Sequence, residues 1–256
     1  TKLLKYGEPN VLAVKADTRE PNNSRWYTGG GLYRDVKLVV TDSKFYLMRH
    51  PLYITTPKVS NEEATVSVQV EMACYTNQNT LKTELVITDA QGNEVVRQIE
   101  ELPFNRKMRT CEYQLKDVQL ENPKLWSCDK PHLYTAQVTI YHENGEIADQ
   151  VSERFGVRSL EFSPKFGLKL NGEKILLKGI ANHHSLGALG SAAYPRAIEK
   201  RIQMLKEFGV NHIRTSHNPY SKDFMNLCDE YGILVVDELY DKWLDQYCGG
   251  RVPWAL

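Results

Sequence analysis

Between Ile175 and Asp237 the chain alternates three short apolar runs with two helix-length stretches, and this alternation constrains the fold more than any other feature. The runs are Ile175 to Ile180, Val210 to Thr215 and Ile233 to Asp237. Pro195 to Gly209 carries Ile198, Ile202, Leu205 and Phe208 at helical spacing, opens on a proline suited to a first helical turn and closes on a glycine suited to a helix stop. Lys222 to Tyr231 repeats the design, with Phe224, Leu227 and Cys228 on one face and Gly232 after it. Strand, helix, strand, helix, strand with short connections requires parallel pairing and right-handed crossovers. Strands apolar on both faces fit a barrel or a doubly wound sheet, where helices cover them.

The preceding two-thirds read as β structure. Val11 to Ala16 and Leu38 to Val40 are short strand-like runs, separated by the polar, Gly-rich loop Pro21 to Gly31. Thr65 to Met72 alternates with period two, as a half-buried strand does. Leu81 to Asp89 and Glu94 to Glu101 flank a hairpin signal at Ala90-Gln91-Gly92-Asn93. Tyr134 to His142 and Glu146 to Phe155 flank Glu143-Asn144-Gly145, whose Asn-Gly pair predicts a type I′ turn. Strands at this spacing predict an immunoglobulin-like sandwich.

The 256 residues carry 32 basic and 32 acidic side chains, so net charge argues for neither a nucleic-acid nor an anionic-membrane partner. No apolar run is long enough to span a bilayer as a helix. Thr1-Lys2-Leu3 does not resemble a natural start, which leads us to expect missing N-terminal sequence and leaves the compartment open. The five cysteines, at 74, 111, 128, 228 and 248, include no CxxC pair and signal neither a disulfide framework nor zinc.

In α/β folds, ligands bind beyond the C-terminal ends of the strands. The first apolar run is followed by Asn182-His183-His184-Ser185, the second by Ser216-His217-Asn218, and the third by Asp237-Glu238-Leu239-Tyr240-Asp241-Lys242-Trp243. Imidazoles, amides and carboxylates are thus delivered to one rim. Neighbours on an extended segment face opposite ways, so one of His183 and His184 is expected to reach the cleft. The same reasoning separates Asp237 from Glu238. Arg214 is expected in a buried pair with a carboxylate of a neighbouring strand, Glu238 or Asp237. Tyr240 and Trp243 are either stacking platforms for a sugar or ordinary packing. No HExxH or close His/Asp spacing supports a metal, and no cofactor is expected.

These motifs, in order, resemble glycoside hydrolase family 2, the β-galactosidase and β-glucuronidase family. "PNNSRWYTGGGLYR" at 21–34 resembles the end of its jelly-roll domain, and "NPKLWS" with "PHLY" at 122–134 its immunoglobulin-like domain. "FGVR" at 155–158 resembles the passage into the barrel; "LNGEK", "KGI", "NHH", "IRTSHNP" and "CDEYGILVVDE" resemble the first three strands of the catalytic (β/α)8 barrel. The resemblance implies a multidomain chain, mainly β and then α/β. Residues 1–45 would be the end of a jelly roll, 46–157 an immunoglobulin-like sandwich and 158–256 the N-terminal part of a (β/α)8 barrel.

The family consists of retaining β-glycosidases that use two glutamates, one as nucleophile and one as acid/base. The acid/base follows an Asn after the fourth barrel strand, and no Asn-Glu pair follows Arg158 in this sequence. The expectation is therefore a fragment of a larger enzyme, without glycosidase activity of its own, whose parent hydrolyses terminal β-linked sugars. β-Galactosides come first, β-glucuronides or β-mannosides second; a non-catalytic carbohydrate-binding or scaffolding module is the alternative. By resemblance His184, His217, Asn182 and Asp241 contact substrate, with Arg214 and Glu238 structural beside them. Ser185 stands where similar His-His-x-Leu-Gly stretches have Asp. Lys242 stands where β-galactosidases of the family offer a magnesium-binding carboxylate, so no metal is expected. An open barrel exposes strand edges, which makes self-association a further expectation.

Overall fold

The structure, a computed structural model, describes residues 3–15, 36–42, 44–75, 80–103, 109–192 and 194–239. The jelly-roll motif at 21–34 lies outside them. Among the described residues the runs at 11–15 and 38–40 form no strand, and Val11, Leu12, Leu38 and Val40 are exposed there. An apolar run becomes a strand only when a neighbouring strand takes up its N–H and C=O groups.

The sandwich follows. One sheet holds β1 (Phe45–Val59), β2 (Glu63–Cys74), β5 (Thr110–Gln114) and β6 (Val118–Glu121), with β2 central. The other runs β4-β3-β7-β8, from β3 (Thr80–Thr88), β4 (Glu94–Pro103), β7 (Tyr134–Tyr141) and β8 (Ile147–Phe155). All pairs are antiparallel. Alternation buries Leu81, Leu85, Ile87, Ala136, Val138 and Ile140 from one sheet against Val66, Val68, Val70 and Met72 from the other.

Both expected hairpins form, but the turn at 143–145 is not the type I′ predicted for it. Gly145 has φ 86° while Asn144 stays at negative φ, and the Gly145 amide donates to the His142 carbonyl at 2.9 Å. The same pattern recurs with Gly92 (φ 83°) donating to Asp89. A type I′ turn needs two residues at positive φ; one glycine closing a longer loop suffices here, because the Asn144 side chain accepts the Glu146 amide at 3.1 Å.

A small antiparallel sheet of β9 (Leu160–Ser163), β10 (Gly167–Leu170) and β11 (Glu173–Lys174) leads into the α/β part. There β12 (Gly179–Asn182), β13 (His212–Thr215) and β14 (Leu234–Asp237) are parallel, in the order β12-β13-β14, with α1 (Pro195–Glu207) and α2 (Lys222–Tyr231) as crossovers. Ile198 and Ile202 of α1, Phe224 and Cys228 of α2, and Ile213 of β13 form the core beneath the sheet. Phe208, counted into the helical stripe, falls past the helix end and is exposed.

The first strand begins at Gly179 rather than Ile175. Asn211 explains the shift: its side chain accepts the Lys178 amide at 2.8 Å and donates to the Leu176 carbonyl at 3.0 Å, occupying groups a ladder would use. Gly179 then sits where a Cβ would lie 2.2 Å from His212 Nδ1 across the pair, so glycine allows the two strands to meet there.

The sandwich and the α/β part join around Trp126, which is 1% exposed. Its indole N–H donates to the Asp229 carbonyl at 2.8 Å, and the Arg158 guanidinium lies 4.6 Å over its ring. Lys206 Nζ reaches the Cys128 carbonyl at 2.8 Å. Cys128, Leu170 and Leu234 complete this second, smaller core.

Candidate functional site

The parallel register aligns Asn182, Thr215 and Asp237 at the C-terminal ends of β12, β13 and β14. The described residues that follow these three positions leave the strands at the same end of the sheet. Thr215 ties the ends together: its hydroxyl donates to Asp237 Oδ1 at 2.6 Å and accepts the Glu238 amide at 2.8 Å. The Ser216 amide donates to the Asn182 carbonyl at 2.9 Å, extending the β12–β13 ladder by one bond.

Glu238 is the hub of the outer part. Its Oε2 accepts from His217 Nδ1 at 2.8 Å and its Oε1 accepts from Arg214 Nε. The expected Arg214 partner is present, but the pair is not buried: the Arg214 side chain is 49% exposed and that of Glu238 18%. Arg214 shares a sheet face with Ala181 and Val236, opposite the face that packs on the helices, and that face is open among the described residues. The bond to Glu238 commits His217 Nδ1 as a donor and so sets the orientation of the ring. Asp237, taken up by Thr215, does not join this group, as its position beside Glu238 on one strand predicted.

His183 and His184 point apart, and each has a role. The His183 ring meets the His217 ring edge-on, with centroids 5.3 Å apart, and is exposed. His184 stacks on Tyr220 at 4.0 Å, and its Nε2 contacts Asn218 Oδ1. The imidazole beside His217 is therefore that of His183, with His184 one layer back against Tyr220. Asn182 is buried; its Nδ2 donates to the Tyr220 hydroxyl at 3.3 Å, and the Tyr220 hydroxyl donates to the Asn182 carbonyl. Burial raises the Tyr220 phenol above its ordinary range and keeps it protonated as that donor.

Two residues of this layer were not singled out from the sequence. Tyr220 sits one residue beyond the Ser-His-Asn-Pro stretch, and an aromatic next to a ligand loop carries no specific signal. Arg201 lies on α1, where a cation beside buried Ile202 is the only hint; it donates to Asn182 Oδ1 at 2.9 Å, to the His183 carbonyl at 3.1 Å and to the Ser185 carbonyl. Asp241, Tyr240, Lys242 and Trp243 lie outside the described residues. Among the described residues no group of His, Cys, Asp and Glu could hold a metal ion, and no helix is long and apolar enough to cross a membrane.

Comparison with known proteins places this architecture. Residues 51–158 match the model of glycosyl hydrolases family 2, and residues 165–242 match that of the glycosyl hydrolases family 2 TIM barrel domain. A β-galactosidase of Bacteroides ovatus is 37% identical over 247 residues, 95% of this chain but 28% of the relative. A β-glucuronidase of Bacteroides fragilis is 29% identical over 93% of this chain and 35% of its own length. The crystal structure of a family 2 member from Bacteroides cellulosilyticus superposes with a TM-score of 0.81 at 33% identity, covering 86% of this chain and 30% of that one. The chain thus spans about a third or less of the length of these relatives. The antiparallel sandwich, the three parallel strands that open a (β/α)8 barrel and two family matches in that order lead to one conclusion: the chain belongs to glycosyl hydrolases family 2.

Proposed function

We propose that this chain supplies the sugar-binding rim of a retaining β-glycosidase that hydrolyses terminal β-linked sugars, with β-galactosides the first substrate class. The observation that carries the reading is the convergence of His183, His217 and Glu238 at the ends of adjacent parallel strands. Imidazoles and a carboxylate in one shallow rim match the hydrogen-bonding needs of a sugar's vicinal hydroxyls. In this reading His217 and His183 contact those hydroxyls, with His184, the histidine carried over from the family pattern, backing them from the layer behind, and the contacts strengthen as the ring distorts toward an oxocarbenium ion. Glu238 and Arg214 hold His217 in place. Asn182 sets the end of β12, and Asp241 is the fourth member carried over from the family pattern. The two catalytic glutamates would come from later barrel strands, so the residues here bind and orient rather than break the bond.

The test is turnover by the full-length protein that contains this chain, on nitrophenyl β-galactoside, β-glucuronide and β-mannoside. Activity is expected on at least one, and His217→Ala should lower kcat/KM about 10- to 100-fold, the range for losing a hydrogen bond that strengthens with charge. No turnover on any of the three, or a His217→Ala variant that matches wild type, would refute the reading. A β-glucuronide preference is the second reading, favoured by the β-glucuronidase among the relatives; the same three substrates rank it against the first.

A further inference from the structure

Arg201 is the one cation of α1 turned into the sheet side of the rim, and its partners are unusual. Burial strips water from the guanidinium and lowers its pKa, yet it makes no ion pair with a carboxylate among the described residues. Its hydrogen bonds instead go to three neutral oxygens, Asn182 Oδ1, the His183 carbonyl and the Ser185 carbonyl. All three belong to the four residues that leave β12 for the rim. A half-buried cation with no carboxylate partner among the described residues depends on neutral acceptors, and a planar fork of donors is what lets one side chain satisfy several oxygens at fixed angles. A lysine at 201 would bring a point charge without that fork.

The contacts extend beyond the backbone. By taking Asn182 Oδ1, Arg201 fixes which way that amide lies, so that Nδ2 donates to the Tyr220 hydroxyl. Tyr220 in turn supports the face of His184. One guanidinium on α1 thereby bears on both histidines, directly through the His183 carbonyl and indirectly through Asn182 and Tyr220 behind His184. We propose that Arg201 is a positioning residue for the rim: it holds residues 182–185 in the arrangement that presents His183 and His184, without itself touching the sugar. The sugar-binding part of this inference rests on the glycosidase reading above.

The test uses the full-length protein with Arg201→Met and Arg201→Lys, and two independent readouts. The first is amide hydrogen exchange, which needs no substrate. Both variants should speed exchange over 183–186 by about tenfold or more, the size expected on losing charge-assisted bonds to a local segment, while β13 and α2 keep their protection. The second is steady-state kinetics on the best nitrophenyl glycoside, where KM should rise by about tenfold with a smaller change in kcat. Lysine should fail to restore either. Exchange over 183–186 that matches wild type, exchange that rises equally across α1 and β13, or full recovery by lysine would each overturn the proposal. If wild type turned over no glycoside, the glycosidase reading would fail, and the exchange comparison alone would decide whether Arg201 holds the rim.

Discussion

Gly232 offers a direct test of how tightly the sandwich supports the α/β part. It ends α2 in the left-handed region, at φ 70° and ψ 44°, and its amide donates to the Cys228 carbonyl. A Cβ added there would stand 2.2 Å from the carbonyl oxygen of Cys128, a backbone atom of the joint. Two costs follow for Gly232→Ala. Placing an L side chain in the left-handed region costs about 1–2 kcal/mol. Pushing back a packed backbone costs a further ~1–3 kcal/mol. Gly209, at the end of α1, is the internal control: its φ is 77°, but a Cβ would meet nothing within 4 Å. Gly209→Ala therefore carries the first cost alone. Urea denaturation followed by far-UV circular dichroism should show Gly232→Ala destabilised more than Gly209→Ala, by about 1–3 kcal/mol. The difference, not either absolute loss, measures the contact with Cys128. Equal losses in the two variants would refute the reasoning, because they would mean that the joint yields without resistance.

Two further predictions concern stability. His212 Nε2 is buried and has no hydrogen-bond partner among the described residues, and burial lowers the pKa of the ring below its usual 6.5. The unfolded chain then takes up its proton at higher pH than the folded one, so this contribution is whole above about pH 6.5 and is lost as pH falls from there through the folded-state pKa. His212→Leu should show a smaller fall in urea midpoint between pH 8 and pH 5 than wild type does; an equal fall would exclude His212 as a source. Ser221 caps α2, its Oγ accepting the Phe224 amide at 3.2 Å. Ser221→Ala should cost about 1 kcal/mol in the same denaturation assay, and an unchanged midpoint would show the cap to be idle.

Much of this fold was legible because its signals are local. Pro195, Gly209 and Gly232 punctuate the helices, and α2 spans Lys222–Tyr231 as its apolar spacing predicts. A helix closes its hydrogen bonds within four residues, so its limits are written beside it in sequence. The β12 boundary was not legible, since Asn211, 33 residues away, decides where the ladder stops and side-chain bonding starts. Arg201 was hidden for the same reason: its three oxygen acceptors lie 16 to 19 residues earlier, on another element. Nor could parity along the strand say which of His183 and His184 meets His217. That parity requires them to diverge, but the side each takes depends on where β12 begins and on Tyr220 filling the space behind His184.

By itself, then, the sequence determined the order of sandwich strands and parallel βαβαβ units and placed the polar residues just past three strand ends. Periodicity and punctuation are properties of neighbouring residues, and they survive without knowledge of the rest. Only the tertiary structure decided that Glu238 takes both Arg214 and His217, that His183 stands beside His217, and that α1 reaches across to hold the rim. Such pairings depend on distances between elements, which packing sets and local sequence does not record.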